Sequence, residues 1–162
     1  MKASFFIVRS VMLLALLAGA FTVFAQDNKD DQQTILKNNI EQKNYSFIAQ
    51  SAMPMQGRVR QLTTEYRLRI SGDSVIADLP YFGRAYTASI GTTQGGIQFT
   101  STDAVYTSKE KKKGGWEISI KPNGNQDARE LFLSISANGY ASLQVSSNNR
   151  QSISFNGFIK TK

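Results

Sequence analysis

Glu65-Tyr66-Arg67-Leu68-Arg69-Ile70-Ser71-Gly72-Asp73-Ser74-Val75-Ile76-Ala77-Asp78-Leu79-Pro80 is the stretch that decides the fold. In its first half Tyr66, Leu68 and Ile70 alternate with Glu65, Arg67 and Arg69. That period of two buries one face of a strand and leaves the other in water. Ser71-Gly72-Asp73-Ser74 has turn composition. Val75, Ala77 and Leu79 then face one way while Ile76 and Asp78 face the other, until Pro80 ends the ladder because it has no amide hydrogen to donate. Two amphipathic strands joined this closely form an antiparallel hairpin.

The same period continues toward the C-terminus. Residues 86–90, 96–101 and 104–108 read as strands, separated by the glycine-flanked run 91–95 and a Thr102-Asp103 corner. Trp116, Ile118 and Ile120 alternate with Glu117, Ser119 and Lys121 behind a lysine- and glycine-rich loop at 109–115. Leu131, Leu133 and Ile135 lead into Asn138-Gly139, a strong two-residue hairpin signal, and Ala141, Leu143 and Val145 return from it. Ile153 and Phe155 open a last strand in which Phe158 breaks the simple alternation, so Gly157 is read as a bulge. Upstream the period is helical. From Asp31 to Lys43, Leu36 and Ile40 lie one turn apart and Lys37 can pair with Glu41, which predicts one short helix over an edge or end of the sheet.

The fold class is therefore mainly β, an antiparallel meander forming a barrel-like (lipocalin-like) or sandwich domain with one short N-terminal helix. The short connections favour the barrel, since they suit pairing between neighbours.

At the N-terminus Lys2 and Arg9 precede the apolar run Val11 to Leu17, which gives way to Gly19, Ala20 and the exit Val23-Phe24-Ala25. This is the pattern of a signal peptide, with cleavage expected after Ala25 and a mature chain starting at Gln26. The apolar run is shorter than a bilayer-spanning helix needs, so no transmembrane segment is expected in the mature chain. The organisation predicted is a signal peptide over 1–25, a flexible polar leader over 26–34 and a single β-rich domain over 35–162. The protein is expected to be exported, to the periplasm or the medium.

Composition narrows the chemistry. The 162 residues contain neither histidine nor cysteine, which removes imidazole and thiolate metal sites, Ser-His-Asp and Cys-His catalysis, and disulfides. Two of the seven net positive charges, Lys2 and Arg9, belong to the signal peptide. The remainder falls short of a clustered nucleic-acid face, and export argues further against nucleic acid. No metal and no cofactor are expected.

Asp78-Leu79-Pro80-Tyr81-Phe82-Gly83-Arg84-Ala85-Tyr86 concentrates a proline, a glycine and three aromatics in nine residues. Together with Ile70-Ser71-Gly72-Asp73, Gly95-Gly96-Ile97-Gln98-Phe99 and Ile153-Ser154-Phe155-Asn156-Gly157, it resembles Domain of Unknown Function family 4251, small exported proteins of Bacteroidetes-type bacteria. The resemblance runs from about Tyr45 to Lys160. It implies export and a single domain, and carries no activity or catalytic residue with it.

Physically, Pro80 and Gly83 make this segment a shaped corner presenting Tyr81, Phe82 and Tyr86. As a ligand site, Arg84 would clamp a carboxylate, phosphate or sulfate and the tyrosines would stack on a ring. As a packing device, the aromatics would plug one end of the barrel and Arg84 would pair with Asp78 or cap backbone carbonyls. The candidate ligand-binding residues are Tyr81, Phe82, Arg84 and Tyr86.

Weaker candidates have plain alternatives. The loop Lys109 to Lys113 suits anionic lipid or glycan, and the groups Arg58, Arg60, Arg67 and Arg69 suit a phosphate- or glycan-facing surface; the plain alternative for both is outward-facing charge. Trp116 would serve as a sugar-stacking platform, but its alternation with Ile118 and Ile120 reads as core. Asp73 with Asp78, or Glu117 with Glu130, would make a hydrolytic pair if the strands brought them together. Asp27, Asp30 and Asp31 lack a calcium-loop pattern. The expectation is an exported, non-enzymatic domain that binds a small apolar or amphipathic ligand or a glycan fragment. The alternative is an envelope-associated interaction or structural protein with a filled core and a protein partner; a carboxylate-dependent hydrolase comes third. Oligomeric state is not specified by the pattern.

Overall fold

The computed structural model describes residues 32–86, 95–112, 114–124 and 128–161. Leu36–Lys162 make one compact unit; of the other, Met1–Ile35, only the first helical residues are described. The helix, α1, covers residues 32–41, so 32–34 belong to it rather than to a flexible leader. Leu36 and Ile40 enter the core, and Lys37 lies 3.9 Å from Glu41 and 4.0 Å from Glu110. Lys43, at φ 51°, turns the chain out of the helix into the sheet.

Among the described residues nine strands follow: β1 (Asn44–Pro54), β2 (Arg60–Ser71), β3 (Ser74–Leu79), β4 (Ile97–Ser101), β5 (Val105–Glu110), β6 (Trp116–Lys121), β7 (Glu130–Ile135), β8 (Tyr140–Ser146) and β9 (Ile153–Thr161). They form one antiparallel sheet in the order β4-β3-β2-β1-β9-β8-β7-β6-β5. The chain runs as a meander out to β4, resumes at the opposite edge with β5, and meanders back until β9 pairs with β1.

Connection length dictates the curvature. In a flat sheet the two edges would stand eight strand spacings apart, about 38 Å. The link between β4 and β5, residues 102–104, reaches only about 14 Å from the last residue of one to the first of the other. The sheet must therefore curl until the end of β4 meets the start of β5, giving a half-barrel. Side chains record the same closure: Tyr45 on β1, beside the central strand β9, meets Tyr106 on edge β5, hydroxyl to hydroxyl at 3.0 Å.

The inward face is filled by large apolar groups. Phe47, Leu68, Ile118, Ile120, Leu131, Leu133, Leu143 and Phe155 have no measurable exposure, and Trp116 is buried with them. In β1 the inward set is Tyr45, Phe47 and Ala49, then Ala52 and Pro54. The phase slips because Gln50 is an extra residue against β9, where Ala49 faces Gly157 and Ser51 faces Asn156. One bulged residue moves all later side chains to the other face. The bulge therefore lies on β1, opposite the Gly157 that the sequence nominated. Gly157 is needed for a different reason: a Cβ there would overlap the Ile48 carbonyl. Phe158 keeps the alternation after all and points outward.

The hairpin at Asn138-Gly139 is present with a different turn. Ser136 N–H donates to the Tyr140 carbonyl and Gly139 N–H to the Ser136 carbonyl, so three residues, 137–139, form the loop. Only Gly139 has positive φ, 83°. This is a type I turn closed by a glycine bulge, not the mirror-image two-residue turn. The strand expected over 86–90, the run 91–94 and Asp27, Asp30 and Asp31 lie outside the described residues, apart from an exposed Tyr86.

Candidate functional site

After Leu79 the chain leaves the sheet and crosses to the β8–β9 loop. Ala85 bridges Arg150, Tyr86 N–H donates to the Asn149 carbonyl at 2.8 Å, and Gln151 N–H donates to the Arg84 carbonyl at 3.0 Å. The Tyr81 hydroxyl reaches two carbonyl oxygens, that of Arg84 at 2.8 Å and that of Gln151 at 3.0 Å. Gly83 serves this arrangement by space rather than by φ, because a Cβ there would run into the Tyr81 ring. Phe82 packs against the core and carries the Arg60 guanidinium 4.8 Å above its ring.

The four candidate residues therefore divide. Tyr81 and Phe82 are half-buried and brace the corner, whereas Arg84 and Tyr86 face solvent. Arg84 does not pair with Asp78, whose carboxylate accepts from Gln98 at 2.9 Å. The cation that holds the corner is Arg150, which the sequence did not single out. It is 7% exposed, donates to the Gly96 carbonyl at 2.8 Å and lies 5.2 Å over the Tyr81 ring. Its place in the polar run Ser147 to Ser152 gives no periodic signal, and its partners are distant in sequence.

A second feature lies away from the corner. On the outer face, an open groove of about 390 Å³ is lined by Gln50, Asn138, Gly139, Tyr140, Phe158 and Ile159. Gln50 is the bulged residue of β1, Asn138 and Tyr140 flank the glycine bulge of the β7–β8 hairpin, and Phe158 follows the Gly157 that meets the Ile48 carbonyl. Tyr140 and Phe158 are directly paired across β8 and β9, and Tyr140 is 60% exposed. Asn138 accepts from the Ser136 hydroxyl through its amide oxygen at 2.7 Å, which orients its NH₂ group. The lining carries aromatic faces and amides and no charged side chain. The signal in the sequence was Phe158, an aromatic out of phase with Ile153 and Phe155 that a bulge at Gly157 would have turned inward.

The remaining candidates are dispersed. Asp73 is bonded to Lys43 at 2.9 Å in the β2–β3 turn, while Asp78 sits at the other end of β3. Glu117 faces Ser134, and Glu130 accepts from Ser119 at 2.8 Å near Lys121. Neither carboxylate pair is assembled. Lys111 donates to Ser134 at 2.7 Å, and Arg67 is 3.8 Å from Glu65. Among the described residues, no group of three or more His, Cys, Asp or Glu side chains is arranged to hold a metal ion, and no helix is long and apolar enough to cross a membrane.

The fold and its surface define a curled antiparallel β domain with a packed interior and an aromatic-amide groove outside. The sequence profile of the family described as Domain of unknown function (DUF4251) matches residues 27–159. The chain belongs to that family. The fold is similar to the crystal structure of a DUF4251 family protein from Bacteroides eggerthii, with TM-score 0.58 and 17% identity over 80% of this chain and 87% of that one. No curated protein matches the chain.

Proposed function

We propose that this is an exported, non-catalytic binding domain whose ligand lies in the outer groove and is an uncharged, hydroxyl-rich molecule such as a sugar ring or short glycan. The observation that carries the reading is the cross-strand pair of exposed Tyr140 and half-buried Phe158, with the amides of Gln50 and Asn138 in the same lining. Sugar rings offer apolar C–H faces to aromatic planes and hydroxyls to amides, and a lining without charge suits a neutral ligand. The packed inward face supports an exterior site over a hollow barrel, and the separated carboxylates support binding over hydrolysis.

The test is calorimetric titration with a panel of neutral oligosaccharides, followed by Tyr140→Ala. The reading expects binding to at least one sugar class, weakened at least ten-fold by the substitution at unchanged melting temperature. No binding across the panel, or binding indifferent to Tyr140, overturns it.

A further inference from the structure

A different surface, remote in character from the uncharged groove, lies where the β1–β2 hairpin meets the 80–86 corner. Arg60 reaching over Phe82 ties the two, and Pro54 opposite Ile153 brings in the β8–β9 loop. Segments 53–60, 80–86 and 147–153 contain four arginines and no carboxylate. Arg150 is buried in the brace, which leaves Arg58, Arg60 and Arg84 exposed. Among the described residues none of these three is held in an ion pair. Beside them stand exposed apolar groups, Met53 at 43%, Met55 at 73%, Val59 at 52% and Tyr86 at 67%.

Apolar residues of this size at a hairpin tip cost free energy in water, and a soluble hairpin would ordinarily be polar there. Flexible methionines and a tyrosine in the same segments as three exposed arginines match the boundary between acyl chains and headgroups, where guanidinium groups hold phosphates and the apolar tips enter below them. The absence of any carboxylate in the three segments removes the repulsion that an anionic surface would otherwise meet.

We propose that this end of the half-barrel docks on an anionic phospholipid bilayer, with Met55 and Val59 inserting and Arg58, Arg60 and Arg84 binding headgroup phosphates. The test is co-sedimentation of the protein, expressed from the full 162-residue sequence, with two kinds of vesicle. One is phosphatidylcholine alone and the other equal parts phosphatidylcholine and phosphatidylglycerol. Binding is expected to the second kind and to weaken with salt. Arg58→Gln/Arg60→Gln/Arg84→Gln should weaken it on the order of a hundred-fold, at about five-fold per arginine. The contact-free pair Arg58→Gln/Arg84→Gln gives the same direction if loss of Arg60 disturbs Phe82. Met55→Ser should weaken the part of binding that resists salt. Lys109→Gln/Lys111→Gln/Lys112→Gln, which removes equal charge elsewhere, should leave most of it in place. Equal binding to both vesicles, equal loss in the arginine and lysine variants, or affinity for a soluble polyanion with none for the anionic vesicles overturns the proposal.

Discussion

The hydroxyls of Tyr45 and Tyr106 meet at 3.0 Å, joining β1, the neighbour of the central strand β9, to the edge strand β5 across the interior. Burial raises the pKa of both phenols, and the neighbouring phenol raises that of Tyr45 further, while the shared hydrogen bond opposes the rise at Tyr106. Both are neutral in the folded protein at neutral pH.

Alkaline sensitivity follows from this pair. An acid whose folded pKa is raised contributes stability that is complete below its unfolded pKa, about 10 for tyrosine, and is lost as pH climbs from there through the folded value. Stability should fall above about pH 10. Tyr45→Phe should flatten that fall while costing about 1 kcal/mol at neutral pH for the lost hydrogen bond. Urea unfolding followed across pH measures both effects.

Arg150 and Arg84 should separate cleanly. Arg150→Ala removes a buried guanidinium, its bond to the Gly96 carbonyl and its packing on Tyr81, at a cost of about 2 to 3 kcal/mol. Arg84→Ala changes an exposed side chain and should stay within about 0.5 kcal/mol. Thermal unfolding of the two variants decides the matter; an equal loss would mean that the corner is braced some other way.

Gly157→Ala should destabilise by roughly 3 kcal/mol, because the added methyl group meets the backbone of Ile48 and Ala49, which has no other place to go. Gly157 precedes Phe158 of the groove lining, so affinity for the proposed sugar ligand should fall with it. Denaturant titration beside calorimetry checks the two together.

Export predicts a mass. Protein recovered from outside the cytoplasm should lack residues 1–25 and begin at Gln26, which intact-mass spectrometry reads directly. Recovery of the full-length chain there would remove export by cleavage from the account.

Most strands were legible because one face of each is buried: Leu68 and Ile70 in β2 and Val75, Ala77 and Leu79 in β3 show the period of two. Closure was legible only as a preference, since the Tyr45-Tyr106 contact and the pairing of β1 with β9 join residues far apart in sequence. The corner at 80–86 was visible by composition, but its division into bracing and exposed residues depends on Arg150, whose partners lie on other loops. The groove was the least visible. It arises from a single-residue register slip at Gln50, a position where local sequence carries no mark, and from a glycine bulge in place of the expected two-residue turn.

Shift mapping by NMR of backbone amides and interior methyl groups, during titration with the neutral oligosaccharide that binds best, tests the central claim most directly. The account predicts changes at Gln50, Asn138 to Tyr140, Phe158 and Ile159, with the methyl groups of Leu68, Leu133 and Leu143 unmoved. Shifts concentrated in those interior methyl groups, or in Tyr81 to Tyr86, would contradict it and return the ligand to the barrel interior or the corner.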